Sequence, residues 1–222
     1  MRATFSENQQ EQFIDKMSHM WKDESDRTLI AKTILAMDTR YNLFKKMARE
    51  SGVEDILEQL LERLANSYPS LSNLHNKAIL DIACGSNTSK APPSYYFGAP
   101  FSKRSSERTS TGFTAMFEPW FCRILLELEA TPVGVDFGNL DAELFTHYRI
   151  DLGKPGALDF LPDHSFDAVQ DSRLFGSPEF TAKFPHQADR LIVAQELMRQ
   201  EQRLLKPDGI IIHSDAMSLW KR

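Results

Sequence analysis

Apolar residues in the first third of the chain recur every three or four positions, which is the spacing of one face of an α-helix. Three stretches show this periodicity: residues 5–20, 30–48 and 53–64. Ser51 and Gly52, between the second and third stretches, predict a helix stop. We therefore predict that residues 1–70 form a helical extension that caps the rest of the chain or packs against it.

From residue 77 onward the pattern changes to short apolar runs that stop at acidic or small residues, as buried strands do. Five runs predict strands: residues 77–82, 133–136, 148–151, 166–170 and 209–213. Between them, helices are predicted over residues 117–128, 139–147 and 187–205. Strands that alternate with helices predict a parallel sheet with right-handed connections. The predicted fold class for residues 71–222 is therefore α/β: a doubly wound, mainly parallel Rossmann-like sheet of about five strands, with helices on both faces.

Two stretches interrupt this alternation. Residues 206–209 combine proline, aspartate and glycine, and they predict a turn before the fifth strand. Residues 88–112 form a long insertion with prolines, three consecutive aromatic residues and a serine-rich basic run. A loop of this length is usually functional or disordered. The aromatic residues favour a segment that folds partly over a site, and the basic run suits either an anionic substrate or a solvated loop.

Composition narrows the class of protein. The chain has 222 residues, of which 41% are hydrophobic and 26% charged, and its formal net charge is −5. These values are typical of a globular domain and argue against an overall basic field for nucleic acid. The two cysteines, Cys84 and Cys122, form no C-x-x-C pair, which argues against a disulfide scaffold or a zinc site. With neither a signal-peptide pattern nor a membrane-spanning apolar run, we expect a cytoplasmic protein that does not bind membranes.

Three of the predicted strands end in an aspartate: Asp81, Asp136 and Asp151. The carboxyl ends of parallel strands meet at one edge of a sheet, and ligands bind there. We therefore expect these carboxylates to face a ligand that carries hydroxyl or amine groups. The residues that follow Asp81 are small, and small residues let a ligand approach the main chain closely. Taken alone, the first strand is equally consistent with an ordinary buried strand and its loop.

Four segments, in this order, resemble the class I S-adenosylmethionine-dependent methyltransferases. Residues 79–87, Ile-Leu-Asp-Ile-Ala-Cys-Gly-Ser-Asn, are similar to the glycine-rich first motif of that family, usually LDxGCGxG. The other three are the second-strand motif at residues 134–137, the adenine-contacting stretch at 151–152 with 161–169, and an LKPGG-like turn at 204–212. The resemblance covers roughly residues 77–215. It implies methyl transfer, with S-adenosylmethionine as cofactor and S-adenosylhomocysteine as product.

The resemblance also implies roles for individual residues. Asp81 would orient the amino group of the methionine moiety, Asp136 would bind the ribose, and Asp151 would accept a hydrogen bond from the adenine amino group. Asp171, after the fourth strand, is the candidate catalytic residue. Further implied contacts are Ala83, Cys84, Gly85 and Ser86 beneath the cofactor, Phe137 and Leu152 beside the adenine, and Gln170 and Ser172 near the methyl donor and substrate.

The acceptor is predicted from motifs that the sequence lacks. Neither Asn-Pro-Pro-Tyr nor Asp-Pro-Pro-Tyr follows the fourth strand, and there is no Pro-Cys pair, so methylation of nucleic-acid bases is disfavoured. We expect a small-molecule acceptor and no nucleic acid, with Asp171, His186 and His213 as candidate bases. Pairing of two chains through the edge of the fifth strand would cover that edge, since an uncovered edge is a liability.

Departures from the family pattern keep two other functions open. Ala83 and Asn87 stand where the first motif usually has glycine, and seven residues follow Asp215 where the family usually has a helix and two strands. The first alternative is a catalytically inactive methyltransferase-like scaffold or binding protein. The second is a nicotinamide-binding Rossmann protein. It lacks G-x-G-x-x-G after the first strand, and Asp136 lies 55 positions after Asp81, where about 20 would be expected.

Overall fold

The periodic N-terminal stretches form helices in the computed structural model, which describes residues 4–86, 115–171, 174–175 and 177–220. The helices are α1 (Glu7–Ser18), α2 (Glu24–Tyr41), α3 (Leu43–Arg49) and α4 (Ser51–Ser67). Ser6 and Gln9 cap α1 reciprocally, because each side chain accepts a hydrogen bond from the backbone N–H of the other. The insertion predicted at residues 88–112 lies outside the described ranges, as do Asn87 and Ser172.

The break between α2 and α3 falls at Asn42. Asn42 has a φ of 54°, in the left-handed region that asparagine tolerates better than most residues. The Asp38 Oδ1 atom accepts a hydrogen bond of 2.9 Å from the N–H of Phe44, which satisfies one of the first donors of α3. Ser51 and Gly52 lie in the first turn of α4. A helix does end just before these two residues, since α3 stops at Arg49 and Glu50 is extended, so the predicted stop is confirmed; the additional break at Asn42 was not predicted.

The described residues form a five-stranded sheet in which every neighbouring pair of strands is parallel. The strands are β1 (Ala78–Ile82), β2 (Thr131–Asp136), β3 (Thr146–Arg149), β4 (Phe166–Asp171) and β5 (Leu205–His213). Their spatial order is β3-β2-β1-β4-β5. The predicted Rossmann-like α/β fold is therefore confirmed.

The helix predicted over residues 139–147 was wrong. The segment forms turns that lead into β3. The Asn139 Oδ1 atom accepts a hydrogen bond of 3.0 Å from the N–H of Asp141, and Ala142 has a φ of 70°. A side chain that bonds to the nearby backbone offers it an alternative to the helical ladder, and so the helix does not form.

The turn predicted at residues 206–209 lies inside β5, where it forms a bulge at the edge of the sheet. Leu205 pairs with Phe166 of β4, and Ile210 pairs with Ala168. Between these two pairs β5 contains more residues than β4, which is the definition of a bulge. An edge strand tolerates Pro207, because proline lacks a backbone N–H and no neighbouring strand lies on the outer side to accept a hydrogen bond from it. The turn residues thus interrupt the ladder without ending the strand.

Helices cover both faces of the sheet. The later helices are α5 (Trp120–Glu127), α6 (Pro178–Lys183), α7 (Gln187–Leu204) and α8 (Asp215–Trp220), with 3₁₀ helices at Leu71–Leu74 and Ala115–Phe117. On one face α1 to α5 share a core with Ile79 and Ala168, and on the other α6 to α8 pack against Leu80 and Val169. The N-terminal helices therefore belong to the core of the sheet. Among the described residues, no helix is long and apolar enough to cross a membrane.

Arg123 of α5 is 2% exposed and forms the centre of a buried charge network. Its Nη2 and Nε atoms donate to the two carboxylate oxygens of Glu143, at 2.7 and 3.1 Å, and its Nη1 atom donates to Glu118. Lys46 of α3 also donates to Glu118. The guanidinium lies over the Tyr41 ring, 4.2 Å from its centroid. The burial of these charges is tolerated because each of them is paired. The same contacts join α2, α3 and α5 to the segments around Glu118 and Glu143.

We predict that Arg123→Met destabilises the fold by about 3 to 5 kcal/mol, because Glu143 would stay buried without a counter-charge and Glu118 would keep only Lys46. Urea unfolding followed by circular dichroism measures the loss. Arg199→Met is the matched control, since Arg199 forms an exposed pair with Glu196 on α7 and its removal should change the midpoint little. Equal midpoints for the two variants would contradict this role of the network.

Candidate functional site

The candidate site lies at the carboxyl ends of β1, β2 and β4. The chain runs from β1 outward through β2 and β3 on one side, and then forms β4 and β5 on the other side. This reversal next to β1 is the switch point at which open α/β sheets bind ligands. Asp81 of β1 and Gln170 of β4 are register partners there, and Asp136 ends β2. The structure thus brings together these three residues that the sequence predicted.

Asp81 is 1% exposed, and its hydrogen bonds are long. The Oδ1 atom accepts from Gln170 Nε2 at 3.4 Å, and the Oδ2 atom accepts from Cys122 Sγ at 3.6 Å. Burial raises the pKa of this carboxyl to about 7. Gln170 Oε1 is buried and finds no hydrogen-bond partner in the described part of the chain. Buried polar groups cost free energy unless they are bonded, so the pair offers acceptor atoms to a ligand N–H or O–H.

The loop after β1 is tightly bent and packs against the chain that precedes α5. Ala83 has a φ of 59° and Gly85 a φ of 97°, both in the left-handed region. The N–H of Ser86 donates to the carbonyl of Phe117 at 2.9 Å, and a Cβ on Gly85 would lie 2.2 Å from that same oxygen. Glycine is therefore required at residue 85 for both conformation and close approach.

Asp136 joins the loop after β1 to the loop after β2. Its Oδ2 atom accepts from the N–H of Gly85 at 3.0 Å, and its Oδ1 atom accepts from the N–H of Gly138 at 2.6 Å. Burial raises the pKa of Asp136, although both amides favour the ionised form. Each carboxylate oxygen has a second lone pair, so these bonds are compatible with the predicted contact to a ribose. Phe137, the predicted adenine contact, is 54% exposed.

Asp151 lies just beyond the end of β3 and has a cationic partner. Lys183 of α6 donates to its two oxygens at 2.7 and 2.6 Å, and the N–H of Gly153 donates to Oδ1 at 3.1 Å. The neighbouring Leu152 is buried in the core on the α6–α8 face. The predicted contacts of Asp151 and Leu152 with adenine stay predictions, and a ligand there would have to share Asp151 with Lys183.

Asp171, the predicted catalytic residue, is fully buried at the end of β4. Its oxygens accept hydrogen bonds from the backbone N–H groups of Asp215 and Ala216, in the first turn of α8. Glu201 of α7 is hydrogen-bonded to Asp171, and burial together with that carboxylate raises the pKa of Glu201 to about 9. Ser214 Oγ lies within 3.3 Å of both carboxyl groups. Asp171 therefore anchors α8, and its role as a base stays a prediction.

The two histidines that were candidate bases have different surroundings. His213 ends β5 as the register partner of Gln170, and its Nε2 atom lies 2.9 Å from Asp215 Oδ1. His186 is exposed at the N-terminal end of α7 and makes no side-chain capping bond there. The carboxylate next to His213 can hold the imidazole ring in one orientation. His213 is therefore the histidine that the geometry favours.

Cys84 and Cys122 form a buried pair that packs with Leu140 and Phe145. Burial raises the pKa of the Cys122 thiol to about 11 and that of the Cys84 thiol well above its ordinary value. Both side chains are therefore protonated at neutral pH, and buried thiols of this kind are unreactive. Across the ranges that the structure describes, no cluster of histidine, cysteine, aspartate and glutamate could hold a metal ion.

Arg63 is a candidate functional residue that the sequence interpretation missed. It lies in α4 at the edge of the apolar stripe and is half-buried. Its charge interacts with those of Asp81, Asp171 and Asp215, and burial lowers its pKa. A lone arginine beside the apolar stripe is the signal that would have found it, but only the fold shows with which acids its charge interacts.

The fold and the site define a doubly wound α/β protein with an acidic site at its switch point. No protein-family model matches the sequence, and no curated protein or solved structure matches it either. The function is therefore inferred from the residues of the site and their chemistry.

We predict that Gly85→Ala destabilises the protein by more than about 1 kcal/mol, because the new Cβ would meet the Phe117 carbonyl and strain the backbone. Gly52→Ala is the matched control: its Cβ would lie 3.5 Å from the Met116 side chain, within a helix, and should be neutral or stabilising. Thermal unfolding of both variants measures the difference. A stable Gly85→Ala protein would mean that the loop does not hold this conformation.

We predict that Glu201→Gln flattens the pH dependence of stability between about pH 5 and pH 9. The folded pKa of Glu201 is raised to about 9, so its contribution to stability is complete below its ordinary pKa and is lost as the pH rises toward 9. Glutamine has no proton to lose. Urea midpoints across this range measure the effect, with Glu196→Gln on the same helix as the control, since its pKa is lowered. Parallel curves for Glu201→Gln and the parent would contradict the raised pKa.

Proposed function

We propose that the protein is an S-adenosylmethionine-dependent methyltransferase that acts on a small-molecule acceptor. The observation that carries the proposal is the buried pair of Asp81 and Gln170 at the switch point, where Gln170 Oε1 has no hydrogen-bond partner among the residues that the structure describes. An ammonium group of a ligand would satisfy both side chains. The motif resemblance assigns the amino group of the methionine moiety to this same Asp81.

The charges at this edge of the sheet favour a cationic ligand. Asp81 and Asp136 lie at the carboxyl ends of β1 and β2, and Asp151 follows β3, so these three acids lie along one edge of the sheet. The donor carries a sulfonium and an ammonium group. A positive charge next to Asp81 would lower the pKa of that carboxyl and favour the ionised form that binds it.

The residues of this site would mainly hold and align the reactants. When bound, S-adenosylmethionine supplies an activated methyl group for in-line displacement. Asp81 and Gln170 would hold its ammonium group, and the bent loop at residues 83–86 would lie beneath it. His213, oriented by Asp215, would take the proton of an acceptor hydroxyl or amine.

A methyltransferase-like scaffold that binds a partner without catalysis is the second candidate. Two observations favour it: Lys183 pairs with both oxygens of Asp151, and both oxygens of Asp136 accept backbone N–H groups. In such a protein Asp136 and Asp151 would only stabilise the fold and would not contact a ligand. The candidates differ in whether the donor binds.

We predict that isothermal titration detects micromolar binding of S-adenosylmethionine and S-adenosylhomocysteine. Asp81→Asn should weaken both strongly, because it removes the carboxylate that holds the ammonium group. The affinity of the parent protein should fall as the pH is lowered through about 7, where Asp81 takes up a proton, and the variant should lose this dependence. Asp15→Asn is the control, since Asp15 is an exposed acid on α1.

Two results would count against the proposal. Absence of binding at millimolar ligand would favour the inactive scaffold. Binding that Asp81→Asn leaves unchanged would mean that the donor occupies another part of the molecule.

A further inference from the structure

Two buried carboxyl groups lie side by side where α7 meets the carboxyl end of β4. Asp171 of β4 and Glu201 of α7 are both 0% exposed. The Ser214 Oγ atom bridges them, at 3.3 Å from Asp171 Oδ2 and at 3.2 and 3.1 Å from the two oxygens of Glu201. In the described part of the chain, no cation is hydrogen-bonded to either carboxyl group. Two adjacent buried carboxylates without a counter-charge repel each other, so the pair retains a proton.

The hydrogen-bond donors around the pair indicate which acid keeps the proton. Asp171 accepts the backbone N–H of Asp215 and, at 3.1 Å, that of Ala216, and such bonds favour a carboxylate. Glu201 is bonded to the Ser214 hydroxyl and to Asp171. Glu201 is therefore the neutral acid, and its O–H group donates to the Asp171 carboxylate. The pKa of Glu201 agrees with this assignment, since burial and the charge of Asp171 raise it to about 9.

Other titratable groups near the pair come from β5, α8 and α4. His213 ends β5, and its Nε2 atom lies 2.9 Å from Oδ1 of Asp215, the first residue of α8. The charge of Asp215 acts on Asp171 and adds to the negative charge around the pair. Arg63 of α4 interacts through its charge with Asp171 and Asp215, which favours the ionised form of both acids. These charges leave Glu201 as the group of the pair that carries the proton.

Helix α8 depends on this cluster for its attachment to the sheet. It comprises six residues, Asp215–Trp220, and a helix of this length is not stable on its own. Its first turn is held by the two backbone bonds to the β4 carboxylate and by the Ser214 Oγ atom, which accepts the N–H of Met217 at 3.1 Å. Of its described side chains, Ala216 and Leu219 pack into the core on the α6–α8 face. A segment held in this way can open locally at a lower cost than unfolding of the whole domain.

We infer that the proton shared by Glu201 and Asp171 is a latch that holds α8 against the sheet, and that rising pH releases this helix while the rest of the fold persists. In the released state Glu201 reaches water and ionises with its ordinary pKa, so release sets one proton free above about pH 5. The released state is therefore favoured as the pH rises, until the attached Glu201 also loses its proton near pH 9. Release also separates Asp215 from His213, so that His213 loses the carboxylate that orients it.

Hydrogen exchange of the full chain, measured by mass spectrometry between about pH 6 and pH 9, tests the latch. Protection factors, corrected for the intrinsic exchange rate, are compared between the amides of residues 216–219 and those of α2. In the parent protein the protection of α8 should fall about tenfold per pH unit, which is the factor for release of one proton, and should stay below that of α2.

Glu201→Gln keeps a hydrogen-bond donor but has no proton to lose, so its α8 protection should not change with pH. Glu196→Gln is the matched control on the same helix. Glu196 pairs with Arg199 at the surface, and this variant should show the pH dependence of the parent protein.

Three results would overturn the latch. Protection of α8 that is independent of pH in the parent protein would mean that no proton is coupled to release. The pH dependence of the parent in Glu201→Gln would assign the proton to another group. Equal protection of α8 and α2 at every pH would mean that α8 opens only when the whole domain unfolds. If Glu201→Gln does not fold, the two comparisons within the parent protein still support or overturn the latch. No ligand is used, so the result does not depend on whether the protein binds S-adenosylmethionine.

Discussion

The pairing of Arg123 with Glu118 and Glu143 is the interaction on which the site depends most. A guanidinium that is 2% exposed is tolerable only when its charge and donors are satisfied, and two buried carboxylates do this. Glu118 adjoins Phe117, whose carbonyl accepts the N–H of Ser86 in the loop after β1. Glu143 lies in the segment that follows β2. One network of ion pairs thus holds both the segment that contacts the loop after β1 and the segment that follows β2.

The acidic residues of the molecule divide between the fold and the candidate site. Asp136 and Asp171 accept backbone N–H groups and hold loops and a helix start in place, which is why burial is tolerated. Asp81 accepts long bonds, and Gln170 Oε1 has no hydrogen-bond partner within the described ranges of the chain. Polar groups that lack hydrogen bonds within the fold can gain them from a ligand. Perturbed pKa values also cluster at functional sites. That contrast singles out Asp81 among the strand-end acids.

The parts of the fold that follow local rules were predictable. Short apolar runs located every strand of the described sheet, three of them with an aspartate at the end, and small residues after Asp81 located the bent loop. The errors occurred where local backbone geometry overrides hydrophobic periodicity. Asn42, in the left-handed region, ends α2, and Asn139 bonds to its own loop. The residues at 206–209 form a bulge within β5. A side chain's bond to the nearby backbone leaves little trace in hydrophobic periodicity. Such residues can be recognised only once their φ angles and bonds are known.

The sequence by itself determined the alternation of strands and helices, the placing of Asp81, Asp136 and Asp151 at strand ends, and the need for small residues in the first loop. These follow from periodicity and steric size, which are local properties. Only the tertiary structure decided that Lys183 pairs with Asp151, that Glu201 is bonded to Asp171, and that the charge of Arg63 in α4 interacts with that of Asp81. Those contacts join residues far apart in the chain, and strand order and helix packing alone bring them together.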